Sequence, residues 1–124
     1  MEGILQAAHC SNDDDDYHIE LSTSVNSAEC FIVEIPNGKY MKAPYSKQAD
    51  AQRKVVRDLY GGTPPNGAAL SPAVKVRVTG GLFYDSQHYS KLPGHKGGNR
   101  GTNHCATNLW EIHPVLLIEQ PPTP

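Results

Sequence analysis

The stretch Val74-Lys75-Val76-Arg77-Val78-Thr79-Gly80-Gly81-Leu82-Phe83-Tyr84-Asp85 constrains this chain more than any other. Its valines alternate with Lys75, Arg77 and Thr79, the period-2 pattern of a strand with one buried face. Gly80-Gly81 then falls inside the strand, where glycine marks a bulge or a sharp coil. A strand that bends midway can serve two parts of a closed sheet, so the pattern predicts a small barrel. A second strand runs from Leu109 to Glu119, with Trp110, Ile112, Leu116 and Ile118 expected to face the core. Pro114 removes a ladder donor, so this strand is expected to bulge or lie at an edge there.

Upstream, Tyr17, Ile19 and Leu21 alternate with His18 and Glu20, and Phe31, Val33 and Ile35 alternate with Cys30, Ile32 and Glu34. These read as two half-buried strands joined through a turn at Ser24 to Ser27, with His18 and Glu34 on the non-core side. Met1 to Leu5 reads as a short edge strand and Ala7 to Asp16 as a loop. The run Asp13 to Asp16 is expected to be solvated, with a hard-cation site as the alternative. Ser46 to Tyr60 is the one predicted helix. Ser46 is its expected cap, Gly61-Gly62 its stop, and Ala51, Val55, Val56, Leu59 and Tyr60 its apolar stripe. Arg53, Lys54 and Arg57 are expected on its solvated face. The order strand, strand, strand, helix, strand, strand predicts a mostly β domain: a small five-stranded Greek-key barrel of the oligonucleotide/oligosaccharide-binding type. An open antiparallel sheet with one packed helix is the alternative.

Composition supports one domain spanning 1–124. With 124 residues there is room for one modest core, and 11 Gly with 10 Pro suit a turn-rich β fold. A net charge of −2 gives no general attraction to nucleic acid or to an anionic membrane. No apolar run reaches the ~18 residues of a membrane span. The start Met1-Glu2-Gly3-Ile4-Leu5 lacks a basic and then apolar leader, which leads to an expectation of a cytoplasmic protein. Cys10, Cys30 and Cys105 include no close pair, so free thiols are expected.

Six ionisable residues fall near strand ends: His18, Glu34, Asp85, His88, Glu111 and His113. Glu111 and His113 are two apart on a strand and point to one face. Asp85 and His88 are close in a turn. Glu111, His113, Asp85 and His88 are therefore the candidate catalytic residues, for general acid/base work. His18, Glu34, Asp85 and His88 are the candidate ligands of a divalent metal, since carboxylates mixed with imidazoles suit zinc, manganese or iron. No spacing matches a zincin, a zinc finger or a cysteine-pair site. Bland roles are also open: a backbone hydrogen bond for His113, an Asx turn for Asp85-Ser86. Glu111 in an apolar strand costs free energy unless paired, so it is expected to have a partner. Asp85 is the expected orienter of an imidazole.

The connection between the last two strands is long, rich in Gly and His, and carries Lys91, Lys96 and Arg100 without an acid. Such a loop suits an anionic ligand, with Lys91, Lys96, Arg100 and His104 as contacts. It is expected to be the most protease-sensitive part of the chain. His104-Cys105 with His95 offers a less favoured soft-metal alternative.

The segments Asp16-Tyr17-His18, Glu34-Ile35-Pro36, Val78-Thr79-Gly80 with Phe83-Tyr84-Asp85 and His88, and Glu111-Ile112-His113-Pro114-Val115 together resemble a group of small, mostly bacterial proteins of unassigned function. The resemblance covers Asp16 to Glu119 and implies a barrel-like binding fold. It brings no activity with it. The chain departs from that group in its long Gly/His loop and short first strand. The leading expectation is a binding protein for a small or anionic ligand. A metal-dependent hydrolase, acting on phosphodiesters, is the alternative, and a self-associating structural protein lending edge strands, hence a homo-oligomer, is the third. Nucleic acid is weakly supported, because one Trp, six Tyr and two Phe leave few rings to spare for a stacking surface. No membrane partner is expected.

Overall fold

Five strands close into one barrel: β1 (Glu2–Cys10), β2 (Tyr17–Ser22), β3 (Cys30–Ile35), β4 (Lys75–Tyr84) and β5 (Ala106–Glu119). The computed structural model describes residues 1–12, 14–25, 27, 29–64, 70–86 and 105–122. A helix, α1 (Tyr45–Tyr60), lies between β3 and β4. Around the barrel the order is β1-β2-β3-β5-β4, antiparallel except for the parallel pair β3–β5. This is the OB-like Greek-key barrel that the alternation of the sequence predicts. Closure between β1 and β4 spans three residue pairs, from Glu2↔Arg77 to Ile4↔Lys75. Among the described residues, no helix is long and apolar enough to cross a membrane.

Tyr17, Ile19 and Leu21 of β2 meet Val33 and Ile35 of β3, Val76 and Val78 of β4, and Ile112 and Ile118 of β5 in one core. Helix α1 packs onto it through Val56. Gln52 is buried there because it satisfies a strand donor: its Oε1 accepts the Ile118 N–H at 2.9 Å. Arg53 is buried too, contrary to expectation. Its guanidinium lies 3.8 Å from the centroid of the Tyr17 ring and donates to the Asp15 carbonyl at 2.7 Å. A stacked and hydrogen-bonded guanidinium tolerates burial that a bare cation would not. Ala51 faces solvent, and Ala49 takes the inward position assigned to it. At the start of α1, Pro44 is the cap residue and makes no side-chain cap bond, so Ser46 does not cap. Gly61, at φ 71°, ends the helix in the left-handed conformation expected of it.

Bulges explain the other departures. β1 runs to Cys10, not Leu5, because a register shift between Leu5 and Ala7 breaks its period-2 pattern. Buried Leu5, Ala7 and Ala8 therefore do not alternate. In β5 the partners jump from Leu117 to Val115 opposite Thr79 and Gly80. The extra residue turns Val115 inward and leaves Leu116 39% exposed. Trp110 is 45% exposed, not in the core. It pairs with Tyr84 at the far end of the β4–β5 ribbon, where Leu82 and Phe83 are also uncovered.

A Cβ on Gly80 would run into the Pro114 carbonyl oxygen and the Ile112 side chain, whereas one on Gly81 would meet nothing nearer than 3.5 Å. Gly80→Ala is therefore expected to cost ~1–3 kcal/mol, the usual range for overpacking a tight site. Gly81→Ala should cost much less. Urea denaturation of the two variants checks this, and equal midpoints would refute it.

The parallel pairing of β3 and β5 also joins two cysteines. The Cys30 N–H donates to the Cys105 carbonyl at 2.7 Å, and the two residues form a disulfide with a Cα separation of 4.9 Å. The expectation of three free thiols is corrected: Cys10 alone is free. The partners lie 75 positions apart, and strand pairing is what brings them together.

Candidate functional site

The non-core faces of β1, β2, β3 and β5 lie side by side, and the register decides which side chains meet. His9 is opposite His18, and His18 is opposite Glu34. The parallel step Val33↔Ile112 sets His113 beside Glu34. One row thus crosses four strands: His9, His18, Glu34, His113. Behind it, Glu20 and Glu111 flank Ile32, which pairs with both.

The contacts form an unbroken chain. Glu20 Oε1 is 3.7 Å from His18 Nε2, and His18 Nδ1 is 3.1 Å from Glu34 Oε1. Glu34 Oε2 is 3.3 Å from His113 Nδ1, which bonds Glu111 Oε1 at 2.9 Å. The His113 Nε2 faces Asp16 Oδ2 at 3.9 Å. His9 stacks on His18 with centroids 4.7 Å apart, and Phe83 meets His113 edge-on at 5.5 Å. Both ends of the chain, Glu20 and Glu111, have side chains 2% exposed, and accessibility peaks at 28% for His113.

Burial is the strongest single influence on His18 and disfavours its charge. The Glu20 and Glu34 carboxylates together outweigh it and push the ring up to about 9. The Glu111 hydrogen bond raises His113 above the ordinary histidine range, against an opposing effect of burial. Burial raises Asp16, and the hydrogen bond from the Asn37 N–H at 3.0 Å works against that rise.

His113 and Asp16 open onto a surface pocket of about 480 Å³, walled also by Pro36, Asn37, Tyr40, Met41 and Pro114. Asp16, Glu34 and His113 can each bring one ligand atom within 4.8 Å of the others. A shared ion needs those atoms drawn to about 3–4 Å, given metal–donor bonds near 2 Å. The His113 ring is already set for such a role. Its Nδ1 rests on a buried carboxylate and its Nε2 faces the pocket side, the arrangement in which imidazoles usually ligate. A second group, Glu20 with Cys30 and Cys105, lies at the other end of the chain.

Of the residues expected from sequence, His18, Glu34, Glu111 and His113 come together. Glu111 and Glu34 orient the imidazoles of His113 and His18. Asp85 is buried at the end of β4, where its N–H donates to the Leu109 carbonyl at 2.8 Å. His88, Lys91, His95, Lys96, Arg100 and His104, with the stretch expected to be protease-sensitive, lie outside the described residues. Glu20 and His9 are not among the expected site residues, and Asp16 enters only through the cation alternative for the acidic run. The hydrogen bond from the Asn37 N–H to its carboxylate ties it to the end of β3. Glu20 shares the His18 face by alternation, which was the available signal.

Comparison with protein-family models, with curated proteins and with solved structures finds no match to this chain.

Proposed function

We propose that this is a barrel-type binding protein that takes a divalent metal ion at Asp16, Glu34 and His113 and, through it, a small anionic ligand in the adjoining pocket. The observation that carries this reading is the setting of His113, held at Nδ1 by buried Glu111 and presenting Nε2 beside Asp16. Without a cation the pocket does not favour anions: among its lining residues Asp14 and Asp16 outnumber the one imidazole, His113. A bound ion reverses that field and keeps positions open for ligand oxygens. Lys91, Lys96 and Arg100 in the β4–β5 connection supply further positive charge in sequence.

Titration calorimetry with Mn²⁺ or Zn²⁺ tests it. His113→Ala and Asp16→Asn are expected to weaken metal binding by at least about 100-fold, as loss of a ligand should exceed the 10–100-fold cost of losing its outer support. Inorganic phosphate should bind the metal-loaded protein and not the chelated one. Equal metal uptake by wild type and both variants would sink the proposal. An oligonucleotide belongs in the same titration, because Tyr84 and Trp110, edge-on at 5.0 Å, give the surface rings that seemed too few in sequence.

The alternative, a metal-dependent phosphodiesterase, draws on one feature of the same site. Three protein ligands beside an open pocket leave room for a metal-bound water, which becomes a nucleophile near neutral pH. Metal-dependent hydrolysis of bis(p-nitrophenyl) phosphate, abolished in His113→Ala, would favour it. A cytoplasmic setting, as expected from the sequence, would hold Cys30 and Cys105 mainly as thiols, and an oxidising one as the disulfide.

A further inference from the structure

The disulfide has an unusual neighbour. Glu20, 1% exposed, lays its carboxylate on Cys105: the Cys105 N–H donates to Oε2 at 2.9 Å, and Sγ is 3.2 Å from the same oxygen. A disulfide sulfur carries no proton. The Sγ contact is therefore a hydrogen bond only when Cys105 is a thiol; in the disulfide it sets sulfur lone pairs against a carboxylate oxygen. The surroundings suit the reduced residue better than the oxidised one.

They suit a metal better still. Glu20, Cys30 and Cys105 can each place one ligand atom within 4.8 Å of the others. Reduced and metal-free, this pocket would hold two sulfurs beside a buried carboxylate, an environment that opposes thiolate formation. A divalent ion eases the conflict, because it brings two thiolates and one carboxylate from three negative charges to a net of one. His18 Nε2 lies 3.7 Å from the other Glu20 oxygen, at ion-pair distance on the far side of the carboxylate. Two sulfurs with one oxygen are a borderline-soft set. They select zinc over magnesium or calcium, which take oxygen donors.

We propose that Cys30 and Cys105 alternate between the disulfide and a reduced state in which their thiolates and the Glu20 carboxylate bind one zinc ion. A dithiol reductant carries out the first step by exchange. Its two thiols become a disulfide while Cys30 and Cys105 gain two electrons and two protons. Zinc then displaces those two protons to solvent. In reverse, an oxidised dithiol takes two electrons from the thiolates and two protons from solvent to become two thiols, the Cys30–Cys105 bond re-forms, and zinc leaves. This site is separate in donors and position from the proposed pocket metal, and it does not depend on that metal.

Cobalt(II) distinguishes the two, because an intense near-ultraviolet charge-transfer band reports thiolate ligation and the proposed pocket ligands Asp16, Glu34 and His113 offer only nitrogen and oxygen. The full chain is titrated with Co²⁺ after phosphine reduction under argon, and in parallel without reduction. The reduced protein is expected to develop the band with one equivalent, to lose it when Zn²⁺ is added, and the oxidised protein to show none. Glu20→Gln keeps both sulfurs and should weaken cobalt binding by about tenfold or more. Cys30→Ser should abolish the band. If that variant fails to fold, the redox comparison and Glu20→Gln still decide. A reduced protein without the band, or Glu20→Gln with wild-type affinity, overturns the proposal.

Discussion

In metal-free buffer, reduction of Cys30–Cys105 is expected to lower the free energy of unfolding by about 4 kcal/mol. The bridge spans 75 positions of sequence, and closing a loop of that size removes roughly 4–5 kcal/mol of conformational freedom from the unfolded chain in the loop-entropy treatment. That loop contains α1, β4 and the long connection into β5, so reduction frees most of the C-terminal half. Hydrophobic contacts in the folded barrel hardly change, which makes the effect one on the unfolded state. For a domain this size, ~4 kcal/mol corresponds to a fall of roughly 15 °C in melting temperature. Calorimetry with and without reductant measures it. An unchanged melting temperature would show that the bridge does not restrain the unfolded chain. Zinc added to the reduced protein should recover part of the loss by binding the folded state alone.

Stability should also fall as the solution turns alkaline. Folding raises His18 from its ordinary 6.5 to about 9, so between those values the folded protein binds a proton that the unfolded chain does not. Stability then decreases with rising pH. The contribution is fully present below about pH 6.5 and is lost as pH climbs through about 9. It amounts to on the order of 3 kcal/mol, at 1.4 kcal/mol per unit. His113 is raised as well and acts in the same direction. Urea denaturation at pH 6 and pH 9.5 checks the sign. His18→Gln should flatten the dependence, and a protein more stable at pH 9.5 than at pH 6 would contradict the assignment of His18 as a buried cation.

Legibility in the sequence followed periodicity. The valine alternation of β4, the apolar alternation of β2 and β3 and the stripe on α1 suffice for the barrel, because each is a regular repeat of a known period. The same rule puts His18 and Glu34 on the non-core side of their strands, and sets Glu111 with His113, since residues two apart share a face. Periodicity fails where a residue is inserted. The shift near Gln6 disguised β1 as a stub and a loop, and the bulge opposite Gly80 exchanged Leu116 for Val115. Long-range neighbours were beyond it altogether. Asp16 reaches His113, and Cys30 reaches Cys105, only through the parallel pairing of β3 with β5. Burial was similarly hidden: Arg53 looks like any surface cation until Tyr17 is found beneath it.

That pairing has a consequence for how the protein is made. β5, the last strand to leave the ribosome, sits between β3 and β4 in the finished sheet. Until it emerges, the nascent β1–β2–β3 meander carries an unpaired edge on β3, and β4 has only its three-residue seam with β1. Both are open to pairing with other chains. The barrel cannot close until residues 106–119 have emerged, so any delay in translating the long segment before them prolongs the interval in which aggregation competes with folding.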